Sequence, residues 1–261
     1  MSDAFFAADG DGFFPQVHAT GPWSADFLHG GPPCALVTRA LERKLPDDFQ
    51  LTRITFELLR PVGFSKLSVT ADVDAEGANV RRGAAVLSAD GKPLIRAYAM
   101  AFRKVAVALE PTTETPPALP DTLQPISFPS FPSPLGYHTS MEGRVARGSF
   151  GTSPVSVWLR MKIPLLAGEK PSPFVRLVCA ADSGNGAAQV VDFQAFTFIS
   201  ADLSLSLLRR PKGEWICLEA HTLATKDGVG FTDTRLWDEK GPVGRGCQGL
   251  VVRPRAATDS R

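Results

Sequence analysis

Three short stretches hold residues whose types and spacing could do chemistry. Asp182 closes an almost wholly apolar segment, Phe174 to Ala181, and opens the run Asp182-Ser183-Gly184-Asn185-Gly186. A carboxylate there is partly desolvated, which raises its pKa and makes it a better general base. The same run is rich in turn formers, so a helix-terminal turn is the competing explanation. His29-Gly30-Gly31 precedes a second apolar segment. Glycines let a backbone N–H approach a ligand, and a helix N-terminus carries partial positive charge, so the Gly31 N–H could polarise a carbonyl. A tight turn into a helix explains the glycines equally well, and His29 fits a turn or packing role better than that of a base. Gln248, between Gly246 and Gly249, has an amide that can donate and accept at once, and could hold a water against Asp182.

Other chemistries lack their signatures. There is no Gly-x-Ser-x-Gly elbow, no P-loop and no dinucleotide fingerprint. Cys34, Cys179, Cys217 and Cys247 form no Cys-x-x-Cys and no Cys/His cluster. Each sits among apolar residues as a small hydrophobe, which argues against a zinc site. Lys and Arg number 28 against 27 Asp and Glu, a net charge of +1 that gives a nucleic acid no basic surplus to bind. No apolar run approaches the ~18 residues of a membrane span. Met1 to Gly12 carries Asp3, Asp9 and Asp11 and lacks the basic and apolar regions of a signal peptide, so a reduced, cytoplasmic setting is expected.

The elements that must position these residues fall into two similar sets. Prolines in a first turn and apolar positions at Leu36, Val37, Ala40 and Leu41 predict a helix over 34–44. Strands are predicted over 51–61, 66–73, 80–87 and 93–102, with Asp90-Gly91 turning the last hairpin. Eight prolines between 106 and 136 rule out regular structure there. Strands then resume at 142–146 and 155–162, a helix at 174–181, and strands at 193–208, 214–223, 229–237 and 243–252. Leu58-Leu59-Arg60-Pro61 matches Leu208-Arg209-Arg210-Pro211 at an offset of 150, and Gly91 with Gly241 and Arg103 with Arg253 keep it. The expected fold is α+β, a double hotdog: one antiparallel sheet wrapped around one helix, twice. Residues 1–105 form the first module, 106–137 a Pro-rich linker and 138–261 the second.

With that order of elements, His29-Gly30-Gly31-Pro32-Pro33, Ala181-Asp182-Ser183-Gly184-Asn185-Gly186 and Arg245-Gly246-Cys247-Gln248-Gly249 resemble the double-hotdog acyl-CoA thioesterases of the bacterial thioesterase II type, over about residues 20–254. The resemblance implies hydrolysis of an acyl-CoA substrate with no metal or cofactor. It carries a catalytic trio of Asp, hydroxyl and Gln onto Asp182, Ser200 and Gln248, with serine where threonine is usual. Asp202, two residues on, competes with Ser200 for the third place. Gly31, Gly30 and His29 take the oxyanion and substrate-binding role. In related single-hotdog enzymes the acid lies nine residues after the histidine; here that position is Thr38. One site per chain is therefore expected, with Gly31 from one half and Asp182 from the other. A non-catalytic acyl-CoA-binding protein is the alternative. Arg81-Arg82 and Arg209-Arg210 could meet CoA phosphates but fit solvated strand ends better. Sheet edges suggest a homo-oligomer.

Overall fold

The computed structural model describes residues 3–74, 77–128 and 131–255, so Pro129 of the connecting segment, the first two residues and residues 256–261 of the expected modules lie outside the described residues. The described chain opens with a hairpin, β1 (Phe6–Asp9) and β2 (Gly12–Pro15). Helix α1 (Gly31–Glu42) follows, then β3 (Phe49–Leu58), β4 (Ser68–Val73), β5 (Val80–Ala89) and β6 (Lys92–Arg103). A short helix α2 (Tyr137–Ser140) leads into β7 (Met141–Arg147), β8 (Val155–Met161), α3 (Pro173–Ala181) and a single turn α4 (Gly184–Ala187). Strands β9 (Phe196–Ser200), β10 (Asp202–Leu207), β11 (Ile216–Ala224), β12 (Val229–Asp238) and β13 (Gly241–Pro254) complete the described chain. No helix among the described residues is long and apolar enough to cross a membrane.

Apart from the opening hairpin, the described strands join one antiparallel sheet in the order β4-β5-β6-β3-β10-β13-β12-β11-β8-β7, with β9 also on β13. Outward from the β3–β10 junction, β3, β6, β5 and β4 correspond in turn to β10, β13, β12 and β11, and β8 and β7 then extend the second half alone. Ile54 pairs with Leu205 and Thr55 with Ser204 at that junction. Under the offset of 150 these two pairs exchange, so a pseudo-twofold axis passes between them. The chain is two tandem modules, each an antiparallel sheet packed on a helix: the double hotdog.

Helices α1 and α3 are buried, α1 against β4, β5 and β6 and α3 against β8 and β11. Pro32 and Pro33 start α1, whose residues Cys34 to Thr38 are all buried. Ser172 caps α3 by accepting the Val175 N–H at 3.1 Å, and Pro173 supplies its first position. The two run antiparallel in contact. Gly31 at the start of α1 meets Cys179 near the end of α3, and Glu42 at the end of α1 meets Ser172 at the start of α3.

The Pro-rich segment is not a free spacer. Trp158 Nε1–H donates to Ala118 O at 2.7 Å, Arg144 Nη1 to Leu123 O at 2.8 Å and the Ile126 N–H to Gly143 O at 2.8 Å. Arg235 pairs with Glu114. The segment is laced along the second half of the sheet. The expectation that each cysteine is buried holds for Cys34, Cys179 and Cys217, while Cys247 is half-buried on β13.

Arg209 is not a solvated strand end. Its guanidinium grips the fully buried Asp238 through Nη1 and Nη2 at 2.5 and 2.6 Å, and the Lys212 and Lys240 N–H groups reach the same carboxylate at 2.7 and 2.8 Å. Removing Arg209 leaves a buried carboxylate with only backbone donors. Because the guanidinium is partly solvated, Arg209→Ala is expected to cost about 2 kcal/mol, less than breaking a fully buried pair. A lower urea midpoint with an unchanged slope checks this.

Candidate active site

Asp182 follows the last residue of α3, with its carboxyl against the first turn of α1. The His29 Nδ1 lies 3.1 Å from Asp182 Oδ2, and the Gly31 N–H donates to the same Nδ1 at 3.0 Å. Gly31 comes from the first half and Asp182 from the second, so the site is built between the modules. Gly30 lets the carboxyl lie close: a Cβ there would stand 2.9 Å from Asp182 Oδ2. At Gly31 a Cβ would stand 2.3 Å from the Cys179 carbonyl oxygen. Both glycines thus serve close approach. The Gly31 N–H is engaged by the His29–Asp182 pair, where the sequence placed it on a substrate carbonyl.

Burial sets the electrostatics. Asp182 is 9% exposed, and desolvation pushes its carboxyl up to about 6 although the Gly31 N–H favours the anion. Burial also drives His29 down to about 3, so the imidazole is neutral. Its Nδ1 accepts from Gly31, which leaves the ring proton on Nε2. The ring lies flat on Tyr137, with centroids 3.7 Å apart and planes 8° apart. Tyr137 is buried, donates its hydroxyl to Cys179 O at 2.9 Å and touches Ser183 Oγ at 2.8 Å. Nothing in the spacing of the chain singled out Tyr137, which reaches the site from the far side of the Pro-rich segment.

Gln248 is buried and fully engaged. Its Oε1 accepts the Asn185 N–H at 3.1 Å, and its Nε2 donates to the Asp182 carbonyl at 3.2 Å and to Ser200 Oγ at 2.9 Å. With both amide hydrogens taken, Gln248 has none left for a water shared with the Asp182 carboxylate. It reaches the site through Ser200, which lines the cavity.

Ser200 lines the cavity, and Asp202 is not among its lining residues. Leu250 pairs with Ser200 but Cys247 pairs with Ser204, so the register slips by one residue between β9 and β10. A one-residue bulge exchanges the faces of the strand. Asp202 instead accepts the Gly249 N–H at 2.8 Å and the Ser204 hydroxyl at 3.3 Å. Phe193 to Leu208, expected as one strand, is therefore two. Thr38 is spent inside its helix, donating to Cys34 O at 2.9 Å.

These groups face a cavity of about 420 Å³ whose lining is mostly apolar, with Asp182, Ser183, Asn185 and Ser200 among its few polar groups. Arg60 lines it, whereas Arg81-Arg82 and Arg209-Arg210 do not. The pseudo-equivalent end of the helix pair is filled by charge. There Glu42 bonds Ser172 and lies 3.9 Å from Arg210, the residue matching Arg60. No group of three or more His, Cys, Asp or Glu among the described residues is placed to hold a metal ion.

Residues 19–102 match the family of the acyl-CoA thioesterase N-terminal domain, and residues 116–252 that of the acyl-CoA thioesterase C-terminal domain. The chain belongs to the acyl-CoA thioesterase family. The C-terminal match begins inside the Pro-rich segment, as its lacing to that half would suggest. Solved structures share the fold of this thioesterase-family chain over nearly its whole length. A putative thioesterase from Novosphingobium aromaticivorans has 19% identity and a TM-score of 0.71, covering 96% of this chain and 99% of its own. A putative thioesterase II from Thermobifida fusca has 15% identity and a TM-score of 0.73, covering 94% and 95%. The acyl-CoA thioesterase II TesB2 of Mycobacterium marinum has 13% identity and a TM-score of 0.68, covering 96% and 95%. A comparison with curated proteins finds no match. Family membership supports acyl-CoA thioester hydrolysis as the general activity.

Proposed function

We propose that the protein hydrolyses acyl-CoA to the free carboxylic acid and CoA, with Asp182 as the base that activates water. The observation that carries this is the Asp182 carboxyl, buried at the meeting of the two modules, pushed up to about 6 and facing an apolar cavity. Such a carboxyl is mostly ionised at neutral pH yet basic enough to draw a proton from a water attacking the thioester carbon. The water oxygen bonds to that carbon as Asp182 takes its proton. The tetrahedral intermediate then expels the CoA thiolate, which recovers the proton from Asp182.

Ser200 orients the water. Because Gln248 donates to its oxygen, the hydroxyl hydrogen is directed elsewhere, and Gln248 is a positioning residue. The neutral His29 offers Nε2–H to the developing oxyanion, and the α1 N-terminus at Gly30-Gly31 adds positive potential. No metal or cofactor enters this scheme. A cytoplasmic location and a homo-oligomer belong to the same proposal, the latter supported by exposed apolar side chains on the interior strands β12 and β13, Phe231 and Val251.

Thiol release from a panel of acyl-CoA substrates tests the reading; saturable binding without turnover would favour the non-catalytic alternative. Ser200→Ala is expected to lower kcat about tenfold to a hundredfold with little change in KM, while Ser200→Thr, which keeps the hydroxyl, retains most of the rate. An unchanged kcat in Ser200→Ala would remove Ser200 from the scheme.

A further inference from the structure

Tyr137 touches both halves of the His29–Asp182 pair, and the scheme above gives it no role. Its ring covers one face of the His29 imidazole at 3.7 Å and 8°. Its hydroxyl donates to Cys179 O, three residues before Asp182, and stands 2.8 Å from the Oγ of Ser183, one residue after it. With the phenol hydrogen spent on Cys179, the Ser183 hydroxyl donates to the phenol oxygen. Burial holds the phenol well above its ordinary range, so it stays protonated and keeps this pattern. At 2% exposure the side chain is enclosed on all sides.

The backbone beneath the stack is tied as well. The Tyr137 N–H donates to Thr20 O at 3.0 Å and the His29 N–H to Ala19 O at 2.9 Å, so both rings hang from two adjacent residues. Gly136 permits the approach: a Cβ there would stand 2.9 Å from Thr20 O. These ties matter because the pair does not hold itself. The His29 Nδ1 and Asp182 Oδ2 are two acceptors 3.1 Å apart, and the Gly31 N–H is the donor they share. The outer torsion of a histidine is broad and would let the imidazole turn away from the carboxylate. Turning takes the ring out of its plane, and the Tyr137 ring stands in the way. The Gly31 N–H selects the tautomer; Tyr137 fixes the plane.

We infer, on the hydrolase reading above, that Tyr137 is a positioning residue of the reaction: its ring fixes His29 so that Nε2–H points to one place in the cavity, and its hydroxyl fixes the turn that carries Asp182. The His–Asp end of the site is then assembled from three separated stretches of chain, at 29–31, 137 and 182–183. The third arrives only because the Pro-rich segment delivers it.

Two variants separate the ring from the hydroxyl. Tyr137→Phe keeps the stack and loses both hydrogen bonds, and kcat should fall about threefold to tenfold. Tyr137→Leu loses the stack as well, and kcat should fall about a hundredfold, with KM within about threefold of wild type in both. A merely structural role would not be coupled to His29. In a His29→Ala background no imidazole remains to be oriented, so Tyr137→Leu should cost only the about threefold to tenfold owed to the hydroxyl. Nitrogen NMR of His29, assigned by its absence from His29→Ala, should show a single Nε2–H tautomer in wild type and Tyr137→Phe, and averaging of two in Tyr137→Leu. A full hundredfold loss in the His29→Ala background, or a Tyr137→Leu signal identical to wild type, would overturn the inference. So would two tautomers in the wild type, a result that stands even where Tyr137→Leu fails to fold. An enzyme inactive on every acyl-CoA, with the expected tautomer pattern across the variants, sinks the hydrolase reading alone.

Discussion

Asp182→Asn should abolish most hydrolysis while making the protein more stable. The amide keeps the size of the carboxyl and can still accept the Gly31 N–H, but it cannot take a proton from water. A loss of about a thousandfold in kcat is expected, the range for removing a general base. In wild type, kcat/KM should rise with unit slope through about pH 6, where burial has placed the Asp182 carboxyl. The stability effect has the opposite sign. A carboxyl raised to about 6 in the folded state, against about 3.9 unfolded, binds a proton more readily when folded. Ionisation therefore opposes folding, by about 3 kcal/mol well above pH 6, and the penalty fades as pH falls through 6 and is gone below about 4. Asp182→Asn should be more stable than wild type by about that amount at pH 8 and equal to it near pH 4. His29 adds a separate slope. Held at about 3, it loses stability as pH falls below its unfolded value of about 6.5. The comparison is made at pH 8, where His29 is neutral in both the folded and the unfolded state. Chemical denaturation at several pH values reads the difference, and an Asp182→Asn variant that is active, or less stable than wild type at pH 8, would refute the assignment.

The sequence carried the architecture because the repeat is written in turn residues. Leu-x-Arg-Pro after β3 and β10, and the glycines at Gly91 and Gly241, mark corners that both modules must turn, and they hold the offset of 150 although the strand residues between them have diverged. Asp182 was legible for a related reason: an acid at the end of an unbroken apolar segment is conspicuous, and its burial follows from the segment. Ser200 against Asp202 was not decidable in that way. Period-two reasoning puts both on one face, and only the slipped register between β9 and β10, visible in the pairing, separates them. The bulge has no glycine or proline to announce it; Ala201 sits at the break, its N–H bonded to Gly249 O at 2.8 Å. Tyr137, and the cavity-lining Phe128, Phe131 and Phe150, were hidden by distance along the chain. A Pro-rich stretch excludes helix and sheet, but nothing in its composition says that it folds back over the cavity. The arginine pairs show the limit of charge alone: the bidentate grip on Asp238 and the place of Arg60 in the cavity depend on which strand ends meet.

Gly30 and Gly31 separate the structural and chemical explanations of one motif. Gly31→Ala should be destabilising by about 3 kcal/mol. The added Cβ would lie 2.3 Å from the Cys179 carbonyl oxygen, which is backbone on the neighbouring core helix and cannot rotate away. The two helices must part, with every contact between them. Alanine's better helix propensity returns at most about 1 kcal/mol at this first helical position, too little to offset the clash. Gly30→Ala is different in kind. Its backbone is ordinary helical, with φ −65° and ψ −25°, so alanine brings no strain. The nearest obstacle is Asp182 Oδ2 at 2.9 Å, a side chain that can turn aside. Stability should change by less than about 1 kcal/mol, while kcat falls about tenfold to a hundredfold because the carboxylate no longer rests against the α1 N-terminus. Thermal melts and thiol-release rates on the two variants distinguish the cases. If the glycines served only a tight turn, Gly30→Ala would keep both its rate and its fold. If they place the base, the variant with the intact fold is the one that loses the reaction.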